Sequence, residues 1–515
     1  MQFYKFSLLL LLAVLVIIVL MLPESLGMTL NWLYPVLNFD LSFRVILISF
    51  LLTAFLIVLP ARNLRFSEML SSLAYTVSSL CAILSKQIIL VIIFYELMAV
   101  SASFMIAGSK DNGPAVRYAC IHFFAGVILT AGLATQNSNL VIVGLLINCA
   151  CFPFSFWVVD AYPAASLHGT TYLSLFATKV SFLAILLHSY TVYTKTLAFF
   201  GSITVIYSII FASLEQNIRR FLCYNIIGQM GLLIIAGSLL SSSEKAVPVL
   251  ILHIIFSLSY QSLLFVIANA IISQTKMISF SGLSKLVSAE GICALIAVLT
   301  MAGFPGTAGF ISKLCIVAEI EMNGVNLRLY KNLYKVLNLL IYLSVGLKFL
   351  YYVFITKSKL TLSKEKDSKI VMIFLASICV IIGNPYLPIY NQSLIFNFVY
   401  NAENIWSQFN LLLCTTLLFI PLRKFFLPRI SFKMDIDWTF RALIPYIALL
   451  LNKLVFRVRK ISAGTLQNLT DSLIGLCFNS AVKLKEVLSY NSVSFVSASS
   501  LFLMSILLVL LCLNH

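Results

Sequence analysis

The chain has 515 residues, 61% of them hydrophobic and 10% charged, with mean hydropathy +1.02. A water-soluble domain is nearer half apolar and a quarter charged, so this composition excludes one, and it leaves too few water-seeking residues for disorder. The formal charge of +17 would suggest nucleic acid in a soluble protein, but here it points to basic loops facing anionic lipid head groups, and neither a phosphate loop nor a recognition helix is visible.

The N-terminal run MQFYKFSLLLLLAVLVIIVLML is too long for a signal-peptide core and reads as a retained first span. Runs of about 20 apolar residues, the length that crosses a bilayer, follow at 41–59, 68–84, 88–108, 118–133 and 140–159. Further runs occupy 171–192, 197–214, 222–240, 249–272, 292–320, 333–355, 370–382, 411–426, 443–455 and 497–513. The expected architecture is an all-α polytopic membrane protein of about 14–16 transmembrane helices. Its parts are N-terminal helices over 1–65, a core over 66–321, further helices with a basic loop (357–369) over 322–430, and C-terminal helices over 431–515, in part amphipathic.

Alternate loops divide the basic residues unevenly. One set holds Arg62, Arg65, Lys110, Arg117, Arg219, Arg220, Lys276 and Lys285; the other holds Lys86, Lys195 and Lys245. The positive-inside rule places the first set in the cytoplasm. Eleven cysteines are scattered without CxxC spacing and five histidines are dispersed, so neither disulfides, a metal site nor an Fe–S cluster is expected. No nucleotide or flavin fingerprint is present either, so no cofactor is expected on this chain.

Charges inside the apolar runs are costly and mark function. Glu96 sits in the middle of IILVIIFYELMAVSASFMIAG, and Lys179 is equally deep in SLFATKVSFLAIL. Lys313 follows GFPGTAGF, where Gly303, Pro305 and Gly306 should break the helix and free its carbonyls, the arrangement that transporters use for ion sites. A second breaker, Pro153 in CFPFSFW, precedes Asp160.

At these residues the chain resembles the proton-antiporter membrane family, which comprises the large subunits of Mrp-type cation/proton antiporters and the antiporter-like subunits of type I NADH–quinone oxidoreductase. FYELMAVSASFMIAG resembles the family's glutamate helix, and FPFSFWVVDAYPAASLHGTTYLSLFATKVSFLAIL follows the Mrp D-type pattern. EQNIRRFLCYNIIGQMG, GLSKL with LTMAGFPGTAGFISK, and DIDWTFR resemble three further segments. The resemblance covers about 66–321 and implies two inverted five-helix repeats, each with one broken helix. It also implies a mid-membrane proton relay in which Glu96, Lys179 and Lys313 stand at the family's titratable positions.

Two positions depart. Asn148 and Gln261 occupy places where the family has lysine, and an amide cannot hold and release a proton near neutral pH. His168 and His253 are candidates to stand in, since imidazole titrates in that range.

The resemblance implies a proton-translocating subunit of a multisubunit Na+ or K+/proton antiporter in the cell's inner (plasma) membrane, with other membrane subunits as partners. Two alternatives stay open: a membrane subunit of an NADH–quinone oxidoreductase-like complex, and a non-conducting structural paralogue that lost part of the relay. Enzymatic activity is not expected of the chain alone; any oxidoreductase chemistry would lie in partner subunits.

Overall fold

The computed structural model describes residues 2–21, 41–61, 64–108, 112–188, 194–240, 246–275, 279, 288–322, 328–355, 366–387, 390, 396 and 399–426. The expected spans at 443–455 and 497–513, the DIDWTFR stretch, GLSKL at 282–286 and most of the basic loop 357–369 lie outside these residues.

The main helices begin with α1 Gln2–Met21, α2 Leu41–Val58, α3 Phe66–Leu84, α4 Ile88–Ala107, α5 Gly113–Ala134 and α6 Ser138–Asn148. Then come α7 Phe156–Ala161, α8 Leu167–Leu173, α9 Ala177–His188, α10 Thr194–Leu214, α11 Ile218–Leu239 and α12 Ala246–Thr275. The last are α13 Ala289–Ala302, α14 Ala308–Met322, α15 Arg328–Ile341, α16 Lys366–Ile381 and α17 Ala402–Leu422. Beyond α15 the chain widens into π-helical turns over Tyr342–Leu347 and Tyr351–Ile355. Among the described residues ten spans are long and apolar enough to cross a bilayer, as the all-α polytopic expectation requires, and shorter apolar helices at 44–58, 138–148, 289–302 and 368–381 accompany them.

In hydrocarbon every backbone group must be satisfied within the chain, so helices form wherever the apolar run is long enough. Their starts are set by local chemistry. The side chains of Asn137, Ser166, Asn217 and Ser288 accept from the first free N–H groups of α6, α8, α11 and α13. Helices α8, α9, α11 and α12 are almost wholly enclosed, while α1 and α17 are mostly uncovered and present their apolar side chains outward.

Three interruptions shape the interior. The run 140–159 is broken after Asn148, where Ala150 takes a positive φ of 59° and the Phe152–Pro153 bond is cis, before α7 resumes at Phe156. The run 292–320 is broken at 303–307. There Gly303 (φ 82°) closes α13 through N–H bonds to Leu299 and Thr300, and Gly306 (φ 86°) continues the turn. Both conformations favour glycine. Gly309 then lets α14 pass so close to α13 that a methyl there would land on the Thr300 carbonyl oxygen. The third break, at 174–176 between α8 and α9, has no proline or glycine to announce it.

Two of the basic residues of the first set, Arg65 and Arg219, lie near one another. Arg65 donates to the Gly108 carbonyl at 3.3 Å, Glu68 accepts from Ser166, and Arg219 donates to the carbonyls of Ala165 and Ser166 at 2.7 and 2.9 Å. The helix ends carrying Arg65, Glu68, Ser166 and Arg219 therefore share one face of the bundle.

Candidate functional site

Lys179 lies two residues into α9 and is 1% exposed. Its Nζ donates to the Ser174 carbonyl at 2.9 Å, so the lysine closes the break that precedes its own helix. Ser174 Oγ donates in turn to the Thr171 carbonyl at 2.6 Å. Tyr75 on α3 supports the same break, its hydroxyl accepting from Ala177 N at 3.1 Å and donating to the Leu173 carbonyl at 3.4 Å.

Lys313 is the counterpart in the second half. Buried at 5% exposure, it donates to the freed Met301 carbonyl and, at 2.5 Å, to Asn338 Oδ1 on α15. Asn338 Nδ2 donates to the Ala302 carbonyl at 3.0 Å, and Gln408 of α17 reaches the same oxygen at 3.4 Å. Next to Lys313 a space of about 20 Å³ is lined by Gly303, Tyr334, Asn338 and Gln408, room for one water molecule. His253 on α12 belongs to this cluster: its Nδ1 lies 2.9 Å from Ser312 Oγ, the neighbour of Lys313.

Glu96, midway along α4, is half-buried and faces α5, where a methyl at Gly126 would strike its Oε1. It forms no ion pair or hydrogen bond among the described residues. Lys179 is on an adjacent helix, since Tyr95 donates to the Val180 carbonyl at 3.2 Å, yet the two charges do not pair. Asn148 ends α6 at the first break and is held by His122 of α5, Nδ1 to Oδ1 2.8 Å. Gln261 is buried at 4% exposure on α12, its Oε1 without a partner among the described residues. Between the two breaks α11 presents Asn225 and Gln229 one turn apart. Gln229 Oε1 accepts from Tyr260 at 3.1 Å, while Asn225 Oδ1 and Gln229 Nε2 are buried without partners among the described residues. Buried polar atoms of this kind are the ones that ordered water satisfies.

His168 is placed elsewhere. It stands on α8 in the wall of a cavity of about 330 Å³ on the basic face, with Arg65, Glu68, Thr171 and Asn269. Neither ring nitrogen has a partner among the described residues. Pro153, Gly303, Pro305 and Gly306 all fall between helices, in the first and second breaks. The structure thus joins Lys313 with His253, and Asn148 with His122, and leaves His168 on the basic face.

The sequence reading missed two buried groups. His122 sits nine residues past Gly113 in an apolar run, and Lys348 equally deep in the run 333–355; that depth was the available signal. Lys348 is fully buried and donates to the carbonyls of Ala212, Ser213 and Glu215 at 2.7–2.9 Å. It caps the C-terminal end of α10, a place that favours a cation. Asp160 is matched by Arg117 through two bonds of 2.6 and 2.9 Å that tie α7 to α5. Its partner is 43 residues upstream, so only the fold discloses it.

Comparison with known proteins accords with this geometry. NADH-quinone oxidoreductase subunit N 1 of Thermodesulfovibrio yellowstonii is 25% identical over 304 residues, 52% of this chain and 66% of that one. A probable K(+)/H(+) antiporter protein of Rhizobium meliloti is 28% identical over 296 residues, 49% of this chain and 29% of that one. The chain therefore spans less than two thirds of the length of either. The fold resembles that of a chain in respiratory complex I from Thermus thermophilus, with TM-score 0.61 and 19% identity over 74% of this chain and 92% of that one. It equally resembles a chain of the Mrp complex from Dietzia sp., with TM-score 0.59 and 15% identity over 82% and 91%. The family model described as NADH:quinone oxidoreductase/Mrp antiporter, TM, matches residues 97–330, the segment from the residue after Glu96 through both lysine-bearing breaks.

Proposed function

We propose that this chain is a proton-translocating membrane subunit of a multisubunit Na+ or K+/proton antiporter, working beside other membrane subunits in the plasma membrane. The observation that carries the reading is Lys313: a buried amine bonded to a carbonyl freed by a helix break, beside space for one water. A buried lysine without a carboxylate partner among the described residues is held by dipoles, so gaining or losing a proton changes its bonds at the break.

In this mechanism protons reach the interior from the basic face, where the cavity holding Glu68 and His168 also touches Thr171. From Thr171 the bonds of Ser174 lead to Lys179. Charge then passes along the polar groups of α11 and α12, including Gln229, Tyr260 and Gln261, toward His253 and Lys313. Glu96 supplies the acidic group of the first half. The amides Asn148 and Gln261 serve as hydrogen-bonding stations that orient water. The core of this machinery is the segment 66–321, with the segments 1–65, 322–430 and 431–515 on either side of it in the chain.

Glu96→Gln and Lys313→Ala in the assembled complex test the reading. Each should abolish pH-gradient activity in everted vesicles while the protein accumulates normally, and full activity in both overturns it.

A second reading has equal support from relatives: the same core working as a membrane subunit of an NADH–quinone oxidoreductase-like complex. Purification with the native partners separates the two, small antiporter subunits favouring the first and peripheral redox subunits the second. Asn148 and Gln261 favour a third, in which the chain is a non-conducting member that kept the bundle. There both substitutions leave transport of the assembled complex unchanged, while deleting the chain disrupts assembly.

A further inference from the structure

We propose that His122 is a proton-carrying residue of the first break, taking and releasing a hydrogen ion at Nε2, and that Asn148 is the positioning residue that sets its tautomer. The inference rests on the reading that the chain moves protons.

His122 is buried, and its Nδ1 lies 2.8 Å from Asn148 Oδ1. An amide oxygen only accepts, so Nδ1 carries the hydrogen and the neutral ring keeps its lone pair on Nε2. That atom is buried and has no hydrogen-bond partner among the described residues. Leaving a buried acceptor unpaired is costly, a penalty that a proton-accepting group justifies. The ring cannot turn away. It lies between Tyr118 (centroids 4.2 Å apart) and the edge of Trp157 (4.5 Å), and Trp157 is itself anchored by its Nε1 bond to the Ile147 carbonyl at 3.0 Å. Both flanks of the break, α6 through Asn148 and α7 through Trp157, therefore grip one imidazole.

The acid is one turn away. Gly126, against which Glu96 Oε1 rests, follows His122 by four residues on α5, and residues so spaced share a helix face. The other charged groups on elements around the ring are accounted for. Asp160 on α7 is matched by Arg117, and Lys179 on α9 donates to the Ser174 carbonyl; Tyr162 follows α7 as a neutral phenol near Tyr118. Glu96 is thus the carboxyl group not already engaged by a cation. In the transfer, a proton leaves the Glu96 carboxyl, giving a carboxylate, and Nε2 gains it, giving an imidazolium with hydrogen on both nitrogens. Asn148 Oδ1 accepts from Nδ1 throughout, so release of the Nε2 proton regenerates the starting tautomer.

The test uses the assembled complex in everted vesicles. His122→Gln should lower pH-gradient activity about tenfold or more, and adding Asn148→Lys, which brings an amine to the same break, should restore a substantial part. Full activity in His122→Gln overturns the inference; if Glu96→Gln is inactive in parallel, the broader reading stands, and if Glu96→Gln is also fully active, both fall. Should His122→Gln not accumulate, Asn148→Leu decides, because it keeps the ring and removes the tautomer lock. A several-fold loss with an altered pH profile is expected, and an unchanged rate and profile overturns the inference.

Discussion

At the second break, between Ala302 and Ala308, the freed carbonyls are met by a lysine from the helix that follows, and that lysine is shared with Asn338 and neighboured by His253. At the first, between Asn148 and Phe156, no amine is present among the described residues; an amide and an imidazole face each other beside aromatic rings. The buried amine of the first half stands instead at the neighbouring break, where Lys179 bonds Ser174. Two halves of similar architecture thus place their titratable nitrogen differently. The breaks provide carbonyl oxygens and space, and any side chain able to hydrogen-bond both can occupy the position. Sequence identity at one position is therefore a weaker guide to the relay than the contents of the pocket around it.

The comparison can be broken most directly at Lys313. Lys313→Ala removes the amine and leaves the Met301 carbonyl and the Asn338 amide oxygen unpaired, so transport in everted vesicles should fall by about two orders of magnitude or more. If His122→Gln loses about tenfold or more, both breaks take part in transfer despite their different chemistry; if it keeps full activity while Lys313→Ala does not, the first break is structural. Gly309→Ala sharpens the geometric side. Its methyl meets the Thr300 carbonyl, backbone that cannot step aside, so a loss of about 1–3 kcal/mol should appear as a lower unfolding temperature in detergent. Asn338→Leu removes one bond to the amine and the bond to the Ala302 carbonyl. About 1.5–3 kcal/mol of local stability is at stake, read as faster proteolysis at the second break. Gly126→Ala is the mildest. The atom it meets is the tip of the Glu96 side chain, which can rotate, so stability should change little while transport falls a few-fold as the carboxyl is displaced.

Much of the bundle was legible because its solvent is hydrocarbon. Apolar length alone locates spans such as 88–107 and 218–239, and Gly303 with Pro305 announces a break because no helix continues through them. Lys179 and Lys313 were legible for the same reason, as charges where none should be. The break at 174–176 was not. Ser174, Leu175 and Phe176 are ordinary helix residues, and the interruption exists because Lys179 and Tyr75, from beyond the break and from α3, take over the hydrogen bonds that the helix gives up. The depth of Lys348 in its run was visible, but not its role: it caps another helix more than 130 residues upstream, which only the packing discloses.

The order of residues by itself determined that this protein lives in a membrane, where two of its helices must break and which charges lie deep in apolar runs. Each follows from one local quantity, the free energy of moving a segment from water into lipid. Only the tertiary structure decided which buried groups meet: that Glu96 turns to Gly126 rather than to Lys179, that His253 meets Ser312 next to Lys313, and that His122 holds Asn148. Those pairings depend on directional contacts of about 3 Å between helices remote in sequence, and such contacts are fixed only when the helices pack.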